Sequence, residues 1–232
     1  IVPVFNEEGN ILNVINKIRQ SISTNDEIIV VDDGSIDNTV SEVKKSNCIL
    51  IENKINKGKG QSLINGLNKS KGNIVVFIDG DGQDDPRELH KLIGGINKGY
   101  DFVIGSRFIP EENNKKKRYD QRSLSPVNFL GNKALTFLIN KLFSLNIYDS
   151  QSGFKCFRKE KISKLNLISM RYEIETEIII KSKKHNLKIL EVPVYRYERQ
   201  NGLSSLFDIP FGRLKFTLKV IKVIVYGFIY WR

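Results

Sequence analysis

Short runs of β-branched and aliphatic residues alternate with longer amphipathic stretches over roughly the first half of the chain. The runs predict five strands, at 1–5, 27–31, 48–51, 74–78 and 102–104. Between them apolar residues recur at helical spacing, as Ile11, Ile15 and Ile18 do. Because strands that alternate with amphipathic helices are typical of βαβ units, the pattern predicts an α/β fold with a mixed, mainly parallel sheet flanked by helices.

The second half of the chain carries more helical signals. Its predicted elements are two helices and a last strand, over 128–143, 174–184 and 189–194. Residues 207–232 mix aromatic and aliphatic residues with lysines, and Lys215, Lys219 and Lys222 recur on one helical face. We therefore expect one domain over 1–206 and an amphipathic helical tail over 207–232.

The composition narrows the class of protein. The 232 residues are 40% hydrophobic and 27% charged, with a formal net charge of +11, as in an ordinary globular protein. Two cysteines and two histidines are too few for a disulfide framework or a zinc cage. The longest uncharged apolar run, at 223–231, is shorter than the ~20 residues that a membrane-spanning helix needs. We therefore expect no spanning helix within this sequence.

An acidic segment, DGDGQDDP, carries the clearest chemical signal. Asp79 and Asp81 follow a predicted buried strand, and ligands of open α/β folds bind at that edge of the sheet. Alternate residues of a turn can point to the same side, so the two carboxylates are expected to bind one hard cation, Mg²⁺ or Mn²⁺. Gly80 leaves room for a bulky ligand. Asp85 is expected to cap the next helix, which leaves the first two aspartates free for a metal.

Other predicted strand ends carry groups suited to a nucleotide. Asp33 can accept hydrogen bonds from a base or ribose, and Phe5 with Glu7 offers an aromatic face beside a carboxylate. Arg107, after the fifth predicted strand, can donate two hydrogen bonds to a diphosphate. The glycines and lysines at 57–62 lack the spacing of a P-loop. We interpret them as the start of a helix whose lysines face an anionic ligand.

Seven ordered motifs together resemble the family 2 inverting glycosyltransferases, most closely the dolichol-phosphate mannosyltransferase and polyprenyl-phosphate glycosyltransferase branch. They lie at 3–8, 30–39, 56–60, 79–86, 105–107, 149–155 and 191–205. The resemblance extends to about residue 206. It implies a GT-A fold and the transfer of a sugar, with inversion, from a nucleotide-diphosphate sugar such as GDP-mannose or a UDP-hexose to a polyprenyl or dolichyl phosphate.

The resemblance also assigns roles to single positions. The positions that match the family's nucleotide contacts are Pro3, Phe5, Glu7 and Asp33. The positions that match its metal-binding and diphosphate-binding stretch are Asp79, Gly80, Asp81 and Gln83. Arg107 and Arg199 match its diphosphate-binding arginines. The chain departs from the family at 202–205, where serine replaces the usual lysine. One phosphate contact then falls to Arg196 or to a lysine of the basic segment 110–125.

The nature of the acceptor decides whether a base is needed. A phosphate monoester has a second pKa near ~6 and is largely ionised at neutral pH, so it needs no strong base. A saccharide hydroxyl would need one, and Asp149 is then the expected base. Glu175 resembles the family's glutamate on the acceptor-side helix.

Basic and apolar residues predict where the acceptor is found. Lys115, Lys116, Lys117, Arg118 and Arg122, together with the three tail lysines, would favour an anionic lipid surface. The apolar tail residues expected to enter the interface are Leu214, Leu218, Ile221 and Ile224. We therefore expect a peripheral enzyme on the cytoplasmic face of a membrane.

Two other functions fit parts of the sequence. The net charge is compatible with a nucleic-acid-binding domain, and the βα pattern with a nucleotidyltransferase. Acidic clusters would line the presumed groove, so we expect no nucleic-acid partner. A nucleotidyltransferase would release pyrophosphate, whereas glycosyl transfer releases a nucleoside diphosphate.

Overall fold

The computed structural model describes residues 1–109, 126–201 and 212–230, except for the side chains at 212 and 213. Its strands are β1 (Val2–Val4), β2 (Ile29–Asp32), β3 (Ile49–Glu52), β4 (Ile74–Phe77), β5 (Phe102–Ser106), β6 (Lys155–Arg158) and β7 (Ile189–Pro193). Its α-helices are α1 (Ile11–Ser21), α2 (Thr39–Lys44), α3 (Lys59–Lys69), α4 (Leu89–Asn97), α5 (Pro126–Phe143), α6 (Lys159–Ile162), α7 (Ile174–Lys184) and α8 (Gly212–Tyr230). Helices thus separate the first five strands, as predicted.

The strands form two sheets whose edges meet. One has the order β1-β2-β3 and is parallel, and the other has the order β4-β6-β5-β7. In the second sheet β5 and β7 are parallel, whereas β6 runs antiparallel to both β4 and β5. The Ile78 N–H donates to the Ile1 carbonyl at 3.2 Å and joins the two edges. The predicted α/β class with a mixed, mainly parallel sheet is confirmed.

β6 is the strand that the sequence pattern did not predict. Its four residues include Lys155 and Arg158, and these two charged residues make the segment resemble a polar turn in the sequence. Lys155 is nevertheless fully buried, because it makes an ion pair with Glu175 inside the protein. The five strands predicted in the first half of the chain and the strand predicted at 189–194 match observed strands within about two residues.

The helix start predicted at Asp85 is present. The Asp85 carboxylate accepts the Arg87 N–H at 3.0 Å and caps a 3₁₀ turn, Pro86–Glu88, that leads into α4. Glu88 lies at the end of this turn, and its carboxylate accepts the Tyr195 N–H at 2.7 Å, so it joins the turn to the segment after β7.

Hydrophobic side chains pack on both faces of the second sheet. Phe102 and Phe157 stack with their ring centroids 4.4 Å apart. Val220 and Ile224 of α8 are buried in the same cluster as residues of α5 and α7. The expectation that Ile224 lies in a membrane interface is therefore wrong, because its side chain belongs to the core.

Two predictions fall outside the described residues. The proposed boundary between 206 and 207 lies there, as does the basic segment at 110–125. The described part of the tail is attached to the domain by its buried face. Among the described helices, none combines the length and the low polarity that crossing a membrane requires.

Candidate active site

A cavity of about 830 Å³ opens where β1, β2 and β4 end. It extends from these strand ends to α5, α7 and α8. The cavity brings together nine of the predicted site residues: Pro3, Phe5, Glu7, Asp33, Asp79, Gly80, Asp81, Gln83 and Arg199. Glu175 and Arg196, which the sequence also singled out, line it as well. Arg107 and Asp149 are not among its lining residues.

Gly80 allows the acidic turn to pack against β1. A Cβ atom at this position would lie 2.4 Å from Val4 Cγ1 and 3.3 Å from the Pro3 carbonyl oxygen. No side chain fits there without moving the strand. The glycine therefore brings Asp79 and Asp81 close to the end of β1, beside Phe5.

Asp81 faces two arginines across the cavity. Its Oδ2 lies 3.6 Å from Arg196 Nη2 and 4.0 Å from Arg199 Nη1, while its Oδ1 accepts the Gln83 N–H at 3.0 Å. Arg199 also makes an ion pair with Glu7. We name Asp81, Arg196 and Arg199 the open cluster, because neither arginine makes a close ion pair with Asp81 itself.

Arg196 also connects the acidic turn to the segment after β7. It donates to Gln83 Oε1 at 2.7 Å and to Asp84 Oδ1 at 3.1 Å. Burial raises the pKa of Asp84 to about 6, although Arg196 opposes that shift. Burial also raises the pKa of Glu7, with Asn10 and Arg199 opposing it. The acidic turn thus combines several carboxylates with only partial compensation by arginine.

Asp79 points away from the open cluster toward a lysine. Its Oδ1 lies 2.6 Å from Lys59 Nζ, which is also 2.8 Å from Glu175 Oε1. Burial acts to raise the pKa of Asp79, but Lys59 together with Arg196 and Lys155 outweighs burial, so the pKa lies below its ordinary value. Burial acts to lower the pKa of Lys59. The carboxylates of Asp79 and Glu175 outweigh burial and raise the pKa above its ordinary value. One predicted metal ligand is thereby held in an ion pair.

Oxygen atoms suited to a hard divalent cation remain at the acidic turn. Asp81 and Gln83 both line the cavity, although Gln83 Oε1 also accepts a hydrogen bond from Arg196. Mg²⁺ is commonly held by one or two carboxylates together with substrate phosphates. Among the described residues no group of three or more histidine, cysteine, aspartate or glutamate side chains could hold a metal by itself. The donor set therefore fits an ion that shares its coordination with a diphosphate.

Asp33 anchors a loop rather than presenting free oxygens. Its Oδ1 accepts from the Lys57 N–H at 2.9 Å and from Asn53 Nδ2 at 3.1 Å, and its Oδ2 accepts the Gly58 N–H at 2.6 Å. These bonds fix the loop that precedes α3. The residue lines the cavity, but its hydrogen-bonding capacity toward a base is largely taken.

Arg107 and Asp149 form a closed pair and do not line the cavity. Arg107 Nε and Nη2 donate to the two Asp149 oxygens at 2.6 and 2.7 Å, and both side chains are buried. Burial acts to raise the pKa of Asp149, but Arg107 holds it below the ordinary value. The geometry favours a structural role for both residues over the predicted diphosphate contact and base.

Sequence reasoning missed two parts of the lining. Lys59 was noted only as part of a lysine-rich helix start, although the glycines on either side of it were a usable signal. The helix α5 contributes Val127, Gly131 and Leu135 to the cavity, and nothing in its pattern distinguished it from an ordinary amphipathic helix. At the far end Lys215 of the predicted basic face also lines the cavity.

Comparison with known proteins settles the family. Residues 1–165 match the model described as Glycosyl transferase family 2. The chain belongs to glycosyl transferase family 2. The resemblance drawn from its motifs is confirmed, and in this glycosyltransferase the acidic turn lines the cavity described above.

Two curated relatives and one solved structure are similar to this chain. The chain is 36% identical to the UDP-N-acetylglucosamine--dolichyl-phosphate N-acetylglucosaminyltransferase of Methanococcus voltae, over 96% of this chain and 95% of that protein. It is 31% identical to the dolichol-phosphate mannosyltransferase of Pyrococcus furiosus, over 89% of this chain and 58% of that protein. The glucosyl-3-phosphoglycerate synthase of Mycobacterium tuberculosis, crystallised with Mn²⁺, UDP and phosphoglyceric acid, superposes with a TM-score of 0.74 at 22% identity. That match covers 98% of this chain and 76% of the other, and it shows the shared fold.

Proposed function

We propose that this glycosyltransferase moves a sugar from a nucleotide-diphosphate sugar to a polyprenyl or dolichyl phosphate, with inversion. The observation that carries the proposal is the shape of the cavity. One end holds Phe5 and the open cluster at the strand ends, and the other reaches Lys215 and Lys219 on α8. This lining would give a donor and a phosphate acceptor separate places in one cavity. The two curated relatives described above have names that include dolichyl or dolichol phosphate.

The donor end is suited to a nucleoside diphosphate. The ring of Phe5 offers an apolar surface to a base, and Arg196 and Arg199 supply positive charge close to Asp81. Mg²⁺ or Mn²⁺ held by Asp81 and Gln83 would neutralise charge on the departing diphosphate. The arginines would add electrostatic stabilisation of the same leaving group from their positions beside Asp81.

The acceptor end supports nucleophilic attack without a base. A phosphate oxygen of the acceptor attacks the anomeric carbon from the face opposite the diphosphate. The bond from that carbon to the diphosphate oxygen breaks, and the nucleoside diphosphate leaves with the electron pair. Lys215 and Lys219 would hold the ionised phosphate, which at neutral pH needs no proton removed.

Surfaces next to the acceptor end suit a membrane interface. On α8, Leu214, Leu218 and Ile221 are exposed beside the lysines, and each exposed cation adds about 1 kcal/mol of attraction near acidic lipid. On α5, Val127 and Leu130 are 65% and 70% exposed. We propose that these two helices rest on the cytoplasmic face of a membrane as a peripheral attachment.

A product assay tests the proposed function. The protein is incubated with a panel of UDP- and GDP-sugars, a polyprenyl phosphate and Mg²⁺ or Mn²⁺, and the released nucleotide and the lipid product are identified. We expect a nucleoside diphosphate and a lipid-linked sugar with one donor of the panel. Polyprenol without its phosphate is the matched control and should give no product.

Other products would redirect the assignment. Release of pyrophosphate would identify a nucleotidyltransferase. Transfer to a soluble saccharide would favour the alternative in which a base is required, although both oxygens of Asp149 accept from Arg107 in this structure. Steeply salt-dependent oligonucleotide binding without sugar transfer would identify a nucleic-acid-binding domain.

A further inference from the structure

The face of α5 that lines the cavity has no side chain at its centre. Val127, Gly131 and Leu135 all line the cavity, and they share one face because residues four positions apart lie above one another on a helix. We name these three residues the α5 row. Asn128 and Asn132 line the cavity beside it. The row extends over about 12 Å of helix, and Gly131 leaves its middle empty.

Neither backbone conformation nor close packing accounts for Gly131. Its φ is not in the positive range that favours glycine, and a Cβ atom there would have no described atom within 4 Å. At Gly60 and Gly95, by contrast, a Cβ atom would lie 2.2 and 2.7 Å from the nearest neighbour. A glycine inside a helix is less favourable than alanine. Gly131 therefore weakens α5 and leaves open space on the cavity side.

Apolar side chains from two neighbouring elements bound the same end of the cavity. The helix α5 packs against both α7 and α8. Tyr172, just before α7, and Phe216 of α8 both line the cavity, and their rings meet edge to face with centroids 6.4 Å apart. Leu135 is partly buried against the core beneath them. This end of the cavity thus offers apolar surface, whereas the donor end is lined by carboxylates and arginines.

The α5 row leads from the core to an exposed apolar surface. It begins at the partly buried Leu135 and ends one turn beyond Gly131 at Val127, which is largely exposed. Leu130 is exposed next to it, and Leu214 is exposed on α8. The row contains no charged residue. An apolar chain bound along the row would therefore pass from the cavity to the surface that we propose rests on the membrane.

Two lysines on α8 add positive charge at this end of the cavity. Lys215 and Lys219 are exposed, lie one helical turn apart and line the cavity on either side of Phe216 along the chain. A ligand that complements both features carries an anionic group joined to an apolar chain. Inorganic phosphate would use only the lysines, and an uncharged lipid would use only the apolar walls.

We propose that the α5 row is the subsite for the prenyl chain of the acceptor, and that Gly131 determines whether the chain fits. This inference rests on the proposed function, because it assigns the chain of a polyprenyl phosphate to the acceptor end of the same cavity. It predicts that a side chain at position 131 impairs use of the acceptor and leaves binding of the donor intact.

Kinetic and binding measurements on Gly131→Leu test this prediction. The KM for a polyprenyl phosphate and the dissociation constant of the nucleotide sugar are measured with Mn²⁺ present. We expect the KM to rise at least about tenfold, because the leucine side chain fills space that the prenyl chain needs. The dissociation constant should change by less than about twofold, since the donor residues lie on other elements. Gly131→Ala should raise the KM by less than about threefold, because one methyl group fills less space.

The matched control is Gly94→Leu. Gly94 lies inside α4, a Cβ atom there would also have no described atom within 4 Å, and the residue does not line the cavity. Both substitutions place leucine at an open position of a helix, so their effects on helix formation are alike. The control should leave the KM and the dissociation constant unchanged. If Gly131→Leu fails to fold, Gly131→Gln provides the same readout with a polar side chain of similar length.

Liposome flotation separates obstruction of the subsite from loss of membrane attachment. Leucine at position 131 adds apolar surface to α5, so attachment should be unchanged or stronger. A raised KM with unchanged or stronger flotation would agree with the proposed subsite. A raised KM with weaker flotation would assign the effect to attachment and would overturn the subsite.

The remaining outcomes distinguish the inference from the function on which it rests. Equal KM values for the wild type, Gly131→Leu and Gly94→Leu would overturn the subsite, while the proposed function stands. A tenfold weaker dissociation constant for the nucleotide sugar in Gly131→Leu would place the residue at the donor and would also overturn it. If the wild-type protein forms no lipid-linked sugar with any donor of the panel, the proposed function fails and this inference fails with it.

Discussion

Two aspartate–arginine arrangements lie at the same edge of the second sheet and differ in how tightly they are closed. β4 and β5 both run antiparallel to β6, so their carboxyl ends lie at one edge. After β5 the closed pair, Arg107 and Asp149, makes two short hydrogen bonds out of contact with solvent. After β4 the open cluster keeps its arginines 3.6 and 4.0 Å from Asp81.

The difference indicates which arrangement serves structure and which serves chemistry. A buried bidentate pair has each charge fully compensated, so its loss leaves an unpaired charge inside the protein. In the open cluster the two arginines have their close ion pairs with Asp84 and Glu7, so Asp81 faces them only at longer range and can exchange these contacts for contacts with a ligand at lower cost. We therefore expect substitutions in the closed pair to affect folding, and substitutions in the open cluster to affect turnover.

The largest expected effect is on turnover, from Asp81→Asn. Removing this charge should lower turnover at least about a thousandfold, because it weakens both the metal site and the alignment of the two arginines. Turnover is measured as release of nucleoside diphosphate, and thermal unfolding shows whether the fold is intact.

Asp26→Asn is the control for this comparison. Asp26 is exposed and accepts an N–H within its own turn, so its loss should leave turnover unchanged. Unaltered turnover in Asp81→Asn would remove this residue from the reaction and would erase the contrast between the two arrangements.

The next effect is on stability, from Asp149→Asn. We expect the free energy of unfolding to fall by roughly 3–5 kcal/mol, because Arg107 is left buried without its counter-charge. Denaturant unfolding provides the measurement. The double variant Asp149→Asn, Arg107→Met should recover part of the loss. Full stability with abolished turnover would contradict the structural role and restore Asp149 as a candidate base.

A smaller effect is expected at the acceptor end. Replacing Lys215 and Lys219 together by alanine should raise the KM for polyprenyl phosphate by about tenfold and weaken flotation with anionic liposomes. The kcat at saturating acceptor should change little. The control pair is Lys44 and Lys45 at the end of α2, whose side chains are both 60% exposed. Equal effects of the two pairs would show that net charge, and not the position on α8, matters.

The smallest expected effect is on the pH dependence of stability, and it comes from Glu191, which contacts the backbone of the closed pair. Burial raises the pKa of Glu191 to about 7, and its carboxylate accepts the N–H groups of Tyr148 and Asp149. Because the folded state then binds a proton more tightly than the unfolded state, stability should fall as pH rises from about 4.5 to about 7. In Glu191→Gln this part of the fall should disappear. The melting temperature of both proteins across that range is the measurement, and identical slopes would contradict the prediction.

The sequence was sufficient for the elements that depend on local pattern. β-branched runs between amphipathic stretches predicted five strands, and Asp85 predicted a helix start. These predictions were possible because backbone preference and periodicity depend on residues that are close together in the sequence. The acidic turn followed from the same logic: carboxylates directly after a buried strand must emerge at the sheet edge. The resemblance to family 2 also rested on short motifs that can be read in order.

Tertiary structure alone decided which charges meet. Lys155 sits in a strand that looked polar, and it is buried because Glu175 compensates it from a distant helix. Asp79 belongs to the same motif as Asp81, yet Lys59 holds it in a separate ion pair. Arg107 and Asp149 occur in two motifs that each suggested chemistry, and they bind each other.

The physical reason is the range of the interactions involved. Helix and strand formation is governed by residues a few positions apart, so a linear pattern predicts it. Pairing of buried charges depends on groups brought together from 20 to more than 100 positions away, such as Glu7 with Arg199, and on the solvent that their packing excludes. The sequence therefore determined the fold class and the edge where the site lies, and only the packed structure divided its charged residues between stability and binding.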